Sequence, residues 1–138
     1  MSGKAFLDTN VFVYTQSKGE QDKRDTALNA IEKYDCYTST QVLNEVSNVM
    51  IKKLKMPIAE VKQVITAIND RCIVSIITHE AVQKALDLKK IYGYSYYDSL
   101  ILTAAILCDC DYVFSEDLHD GQIIESKIEI VNIFKRSI

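Results

Sequence analysis

Hydrophobic and polar positions along the chain change their period several times, and each change predicts an element. Ala5-Phe6-Leu7 is a short apolar run, so Lys4 to Leu7 predicts a buried strand, ended by Asp8-Thr9-Asn10. A second apolar patch, Val11 to Tyr14, follows at once, and the polar stretch Gln16 to Asp25 reads as a loop. Ala27, Leu28, Ile31 and Tyr34 then recur at helical spacing, predicting a helix over Thr26 to Tyr34. Cys36 to Thr38 reads as a short second strand. Ser39 or Thr40 is placed to cap a helix whose stripe is Val42, Leu43, Val46, Val49 and Met50.

Pro57, the only proline, separates that helix from the next, about Ile58 to Asn69, with Ile58, Val61, Val64, Ile65 and Ile68 as its stripe. The β-branched run Cys72 to Ile77 predicts a buried strand. Thr78 caps a helix through about Tyr92, with Ala81, Ala85, Leu86 and Leu88 inward. Past Gly93, Ser95 to Cys110 is apolar on most sides and predicts a central helix. Tyr112 to Phe114 is a strand, Ser115 to Gly121 a polar loop, and Ile128 to Val131 a last strand. Strands alternating with helices predict an α/β fold: a mainly parallel sheet with helices on both faces. No repeat, low-complexity tract or linker interrupts the chain, so residues 1–138 are expected to form one domain.

Composition narrows the class. Apolar residues are 48% and charged residues 25%, which excludes disordered, collagen-like and coiled-coil chains. With 16 Lys plus Arg against 19 Asp plus Glu, the formal charge is −3, too acidic for indiscriminate nucleic-acid binding through a basic surface. The four glycines are too scattered for a dinucleotide or phosphate loop, and neither GxSxG nor HExxH occurs. Met1-Ser2-Gly3-Lys4 runs straight into the first strand, so no leader is expected. No apolar stretch reaches the ~18 residues that span a bilayer. A cytoplasmic protein without membrane partners is expected, with Cys36, Cys72, Cys108 and Cys110 as reduced, small hydrophobes. A zinc site from Cys108-x-Cys110, His79 and His119 is disfavoured, because the cysteines end an apolar run and stand too close in sequence.

The informative feature is where four acids fall. Asp8 ends the first strand and Asp117 lies just past the strand Tyr112 to Phe114, and ligands of parallel sheets bind beyond such strand ends. Glu45 interrupts an apolar stripe, three residues after Val42 and four before Val49. Asp98 does the same near the start of the central helix, ahead of Ile101 and Leu102. Each acid alone has a structural reading. Asp8 or Asn10 caps a short helix; Ser95-Tyr96-Tyr97-Asp98 is a capping box; Glu45 pairs with a buried cation; Asp117 shapes a turn. Together they point to a hard divalent cation, Mg²⁺ or Mn²⁺, which prefers oxygen ligands and relieves the mutual repulsion of clustered carboxylates. Such cations would also reconcile an acidic chain with a polyanionic substrate.

Leu7-Asp8-Thr9-Asn10, Glu45 in a helix, Tyr97-Asp98-Ser99-Leu100-Ile101 and Ser115-Glu116-Asp117-Leu118 resemble, in that order, the PIN-domain ribonucleases. The likeness is greatest to the VapC-type toxins of toxin–antitoxin pairs. The resemblance implies a three-layer α/β/α domain and Mg²⁺- or Mn²⁺-dependent endonucleolytic cleavage of RNA, leaving 5′-phosphate and 3′-hydroxyl ends. It implies Asp8, Glu45, Asp98 and Asp117 as the acidic, metal-binding catalytic quartet. Thr9 and Ser115 match hydroxyl positions that hydrogen-bond within the site, Asn10 a polar position beside the first acid, and Asp120 a further acid of the same loop. It also implies a homodimer and a cognate antitoxin whose C-terminal segment covers the acidic cleft.

Lys52, Lys53, Lys55, Lys89 and Lys90 are candidate phosphate contacts, or solvated helix ends. Tyr92, Tyr94, Tyr96 and Tyr97 are candidate base stackers, or packing residues. Competing readings are a dehalogenase-type phosphatase, which needs an acid where Asn10 stands, a non-enzymatic acidic interaction domain, and a free-standing RNA-processing nuclease.

Overall fold

The computed structural model describes residues 3–136; Met1 and Ser2, on which the leader argument partly rests, lie outside them. Among these residues the order is β1 (Lys4–Leu7), α1 (Thr9–Tyr14), α2 (Gln21–Lys33), β2 (Asp35–Ser39), α3 (Thr40–Lys52) and α4 (Ile58–Arg71). There follow β3 (Ile73–Ser75), α5 (His79–Tyr92), α6 (Tyr96–Leu107), β4 (Tyr112–Phe114), β5 (Ile123–Ile124) and β6 (Ile128–Val131). The strands form one sheet in the order β3-β2-β1-β4-β6-β5, parallel throughout except where β5 runs antiparallel to β6.

The chain steps outward from β1 through β2 to β3, then returns across the sheet to β4 on the other side of β1. Right-handed crossovers therefore place α1 to α4 over one face and α5 with α6 over the other, the expected three-layer α/β/α architecture. The reversal of direction falls between β1 and β4, where the sheet opens a crevice beyond its strand ends. Phe6 and Leu7 pair with Val113 and Phe114 across that junction, and all four are fully buried. Ile130 and Val131 extend the same core on one side, and Val42, Val46 and Met50 of α3 cover it.

Several local expectations change. Helix α2 begins at Gln21, inside the segment expected to be loop, because its first turn is solvated and shows no apolar period. The Gln21 amide donates to Asp25 Oδ1 at 2.8 Å, an i,i+4 bond that supports that turn. β3 is shorter than the run Cys72 to Ile77 and only half covered, since it is an edge strand with Ile73 and Ile76 exposed. Ile58 and Leu86 also face outward; the buried stripe of α5 is Ala81, Ala85 and Leu88. Cys36, Cys72 and Cys110 are buried and Cys108 half-buried, all as free thiols. Among the described residues no helix is long and apolar enough to cross a membrane.

Helix α6 ends three residues earlier than its apolar run and is buried through Ser99 to Ile106. It is delivered by a sharp turn at Gly93, whose φ of +80° ends α5 in a left-handed conformation that a side chain would strain. β5 has no counterpart among the predicted strands. Its hairpin turns at Glu125 and Ser126, both at φ of 54°, positions usually marked by Asn or Gly. The Tyr92 hydroxyl holds this turn by accepting from the Glu125 backbone and donating to its carboxylate, each at 2.9 Å. The Tyr94 hydroxyl donates to Gln122 Oε1 at 2.6 Å and accepts from the His119 backbone. These two tyrosines fasten the loop region after β4 and are thereby occupied; Tyr97 stands exposed, edge-on to Tyr96.

Candidate active site

The crevice is built from four separate elements. β1 ends at Leu7, and the Asp8 backbone N–H continues the ladder by donating to Phe114 O at 3.0 Å, so Asp8 is fixed at the centre of the sheet edge. Asp8 is also the N-cap of α1, as its structural reading held: Oδ1 accepts from the Thr9 backbone at 2.7 Å. Its other oxygen, Oδ2, accepts from the Ser115 hydroxyl at 2.7 Å. Ser115 in turn receives the Asp117 backbone N–H at 3.2 Å, which joins the two loops beyond β1 and β4. Thr9 completes the link to α3 by donating its hydroxyl to Glu45 Oε1 at 2.8 Å.

Asp98 arrives from the opposite layer. The Ser95 hydroxyl caps α6 by accepting from the Asp98 backbone at 3.2 Å, so one half of the capping box is formed. The Gln41 amide of α3 donates to Tyr97 O at 3.2 Å, bracing the start of α6 against the helix that carries Glu45. One cavity of about 630 Å³ is then lined by Asp8, Thr9, Asn10, Glu45, Asp98 and Asp117, together with Tyr14, Glu20 and Lys53.

The four acids differ in environment. Asp8 is buried, Glu45 and Asp98 are half-buried, and Asp117 is exposed. Glu45 therefore sits on the rim of its stripe, between buried Val42 and half-buried Val49, with a hydroxyl rather than a buried cation as its partner. Burial lifts the Asp8 carboxyl to about 6; the Ser115 and Thr9 hydrogen bonds oppose the rise, and the charges of Glu45 and Asp117 add to it. Among the described residues none of the four acids is in an ion pair, and none of those residues donates a hydrogen bond to the Asp98 or Asp117 carboxylate.

Asp120 is placed elsewhere. Its carboxylate accepts from the Asn132 backbone at 2.9 Å and pairs with Arg136 at 3.0 Å, bonds that hold it below the usual carboxylate range. It does not line the cavity. Lys53 alone of the candidate lysines lines it; Lys52, Lys55, Lys89 and Lys90 do not.

Sequence reasoning missed a cluster beside the cleft. The Lys23 ammonium of α2 donates to Glu116 Oε2 at 2.6 Å and to the Tyr14 hydroxyl at 3.0 Å, and that hydroxyl donates to Glu116 Oε1 at 2.5 Å. Burial alone would raise the Glu116 carboxyl, but the Lys23 and Tyr14 hydrogen bonds outweigh it and lower it. The cluster ties the residue preceding Asp117 to α1 and α2. Its only signal in the sequence is the charged residue beside Asp117.

The donor set fits a hard dication: the four acids offer carboxylate oxygens, no His or Cys lines the cavity, and among the described residues none of the four is ion-paired to a protein cation. As the side chains stand, no group of three or more His, Cys, Asp or Glu among the described residues is gathered closely enough to hold an ion. The convergence is that of a cleft, with the acids arrayed around its walls.

A PIN-domain family model matches residues 5–119, a span that includes all four acids. No curated protein sequence matches the chain. Among solved structures, a toxin–antitoxin complex from Klebsiella pneumoniae superposes with a TM-score of 0.71 at 19% identity, covering 94% of this chain and 97% of that one. The Mycobacterium tuberculosis toxin VapC20, which cleaves the sarcin–ricin loop, gives 0.67 at 17% identity over 82% of this chain and 91% of that one. VapBC2 from Rickettsia felis, bound to promoter DNA, gives 0.66 at 16% identity over 92% and 98%. At such identities these likenesses establish a shared fold.

Proposed function

The chain belongs to the PIN-domain family, and from that premise we propose that it is a Mg²⁺- or Mn²⁺-dependent endoribonuclease, the toxin of a toxin–antitoxin pair. The observation that carries the reading is the convergence of Asp8, Glu45, Asp98 and Asp117, from four elements, on one cavity, with none of the four ion-paired among the described residues. Mutually repelling carboxylates on a sheet edge destabilise a fold, and a bound dication offsets that repulsion.

In this reading Asp8, Glu45, Asp98 and Asp117 hold the ion. When bound, a dication lowers the pKa of water and offsets the charge that develops on phosphoryl oxygens. The chain's own residues supply position. The Thr9 and Ser115 hydrogen bonds fix both Asp8 oxygens and leave each with a lone pair directed away from its donor. Thr9 Oγ1 fixes Glu45 relative to Asp8, and Ser115 fixes the backbone of Asp117. Asn10, on the cavity wall, offers an amide to the substrate backbone. Lys53, on the same wall, meets a phosphate, a contact that positions a strand without reading its sequence. Asp120, tied to Arg136, secures the chain after β6 instead of joining the ligand set.

The toxin assignment draws on the described relatives: one is a toxin–antitoxin complex and one an RNA-cleaving toxin. For this chain it entails an antitoxin whose segment covers the acidic cleft, and a homodimer. The test is incubation of the purified protein with structured and unstructured RNAs, with and without Mn²⁺, with mapping of the ends. Cleavage only with the metal, giving 5′-phosphate ends and lost in Asp8→Asn and Asp98→Asn, supports the assignment. Normal cleavage by both variants refutes it.

A further inference from the structure

Away from the cleft, β2 and β3 bring two thiols together. Tyr37 pairs with Ile73 in the parallel ladder, and the residues one step before that pair are Cys36 and Cys72. Partners in a parallel ladder point to the same side of the sheet, and both cysteines are buried. Their neighbouring places in the ladder set the two thiols side by side, and the interaction between them lowers the Cys36 thiol and raises that of Cys72. The Cys36 thiol also lies 3.4 Å from the Ile31 and Tyr34 carbonyls at the end of α2, the carbonyls that the Arg71 guanidinium grips from α4.

A cavity of about 510 Å³ reaches this cluster from solvent, with Ile31, Arg71 and Cys72 among its walls. It is separate from the acidic cleft, sharing none of the four acids. Cys72 stands on the cavity wall and Cys36 beside it in the ladder, so a molecule the size of two waters approaches the thiol pair from the Cys72 side without the sheet opening.

We propose that Cys36 and Cys72 form a dithiol modification site, which hydrogen peroxide closes to an intramolecular disulfide. The cross-link staples edge strand β3 to the sheet. The chemistry balances with that one oxidant. The Cys36 thiolate attacks a peroxide oxygen, forming an S–O bond as the O–O bond breaks; the departing hydroxide takes the thiol proton and leaves as water. The Cys72 sulfur then attacks the Cys36 sulfur, forming the S–S bond and breaking S–O, and the second water carries away the Cys72 proton. Two thiols lose two hydrogens and two electrons, and the peroxide is reduced to two waters.

The roles are unequal. The interaction with Cys72 lowers the Cys36 thiol against its burial, with help from Arg71, while the same interaction and burial raise the Cys72 thiol. Cys36 is thus the attacking thiol and Cys72 the resolving one. The staple closes the loop that contains α3 and α4. β3 is the strand that gains, because it is three residues long and pairs on one side only. Constraining the unfolded chain raises stability.

The test uses the full chain, reduced, freed of reductant and treated with a small excess of hydrogen peroxide. Free thiols are then alkylated with N-ethylmaleimide in denaturant and the peptides mapped by mass. The expected product has lost two hydrogens, carries a Cys36–Cys72 cross-link, keeps Cys108 and Cys110 alkylated, reverts with dithiothreitol, and melts above the reduced protein. The Cys108→Ser/Cys110→Ser variant behaves the same way. In Cys72→Ser, dimedone traps a sulfenic acid on Cys36; in Cys36→Ser, Cys72 gives no adduct. Recovery of Cys36 and Cys72 as alkylated thiols or sulfinic acids overturns the proposal. So does their linkage to Cys108, to Cys110 or to a second chain.

Discussion

Burying a carboxylate beside two others, without a cation, opposes folding, and Asp8 is where this chain does so. Its carboxyl is raised from 3.8 to about 6, so the native state holds the proton more tightly than the unfolded chain. Stability therefore falls as pH rises from about 4 to about 6, and the loss is complete above that, at about 2–3 kcal/mol without metal. Asp8→Asn removes the charge and keeps the size. In denaturant unfolding without metal it is expected to match the parent near pH 4 and to exceed it at pH 8 by up to that amount. Under the proposed function, cleavage is expected to be lost in the same variant. A variant less stable at pH 8 would show that the Asp8 charge supports the fold. Ser115→Ala tests the opposite influence. Without the hydroxyl on Oδ2, the Asp8 carboxyl moves above about 6, read as a carboxyl-carbon NMR titration. The fold weakens by about 1–2 kcal/mol.

Helix ends carry the site as much as side chains do, and two N-caps separate stability from function. Ser95 caps α6, which delivers Asp98, and Thr78 caps α5, which contributes nothing to the cleft. Ser95→Ala and Thr78→Ala are each expected to cost about 1 kcal/mol in thermal or denaturant unfolding. Only Ser95→Ala is expected to weaken Mn²⁺ binding and slow cleavage; equal losses from both would mean that α6 does not position the site. Much at this scale was legible in the sequence. β1, α3, α6 and β4 carry clear apolar patterns because each is buried on its inner side, and the acids that interrupt or end those patterns are the ones lining the cavity. What was hidden has a common cause. The first turn of α2 is solvated, β5 has two residues and a turn without glycine, and β3 is an exposed edge, so none carries a period set by burial. The Lys23–Tyr14–Glu116 cluster was invisible because it depends on residues distant in sequence. Asp120 shows the converse: a loop acid whose sequence position suits the site but whose partner, Arg136, lies in a different segment.

For the molecule as a whole, the sheet reversal between β1 and β4 dictates where the cleft sits, and under the proposed function the acids make that edge a ligand-dependent part of the fold. A ligand that binds only the native state stabilises it in proportion to its occupancy. Mn²⁺ is therefore expected to raise the melting temperature, chelation to reverse the rise, and the gain to shrink below about pH 6, where the proton on Asp8 competes. A melting temperature indifferent to Mn²⁺ at pH 8 would count against a shared ion. The most direct measurement is a Mn²⁺ titration followed by electron paramagnetic resonance, on the parent chain and on Asp8→Asn, Glu45→Gln, Asp98→Asn and Asp117→Asn. The account expects saturable binding in the parent, and binding weakened at least about tenfold in every variant. No binding by the parent, or variants that bind Mn²⁺ as the parent does, would contradict it.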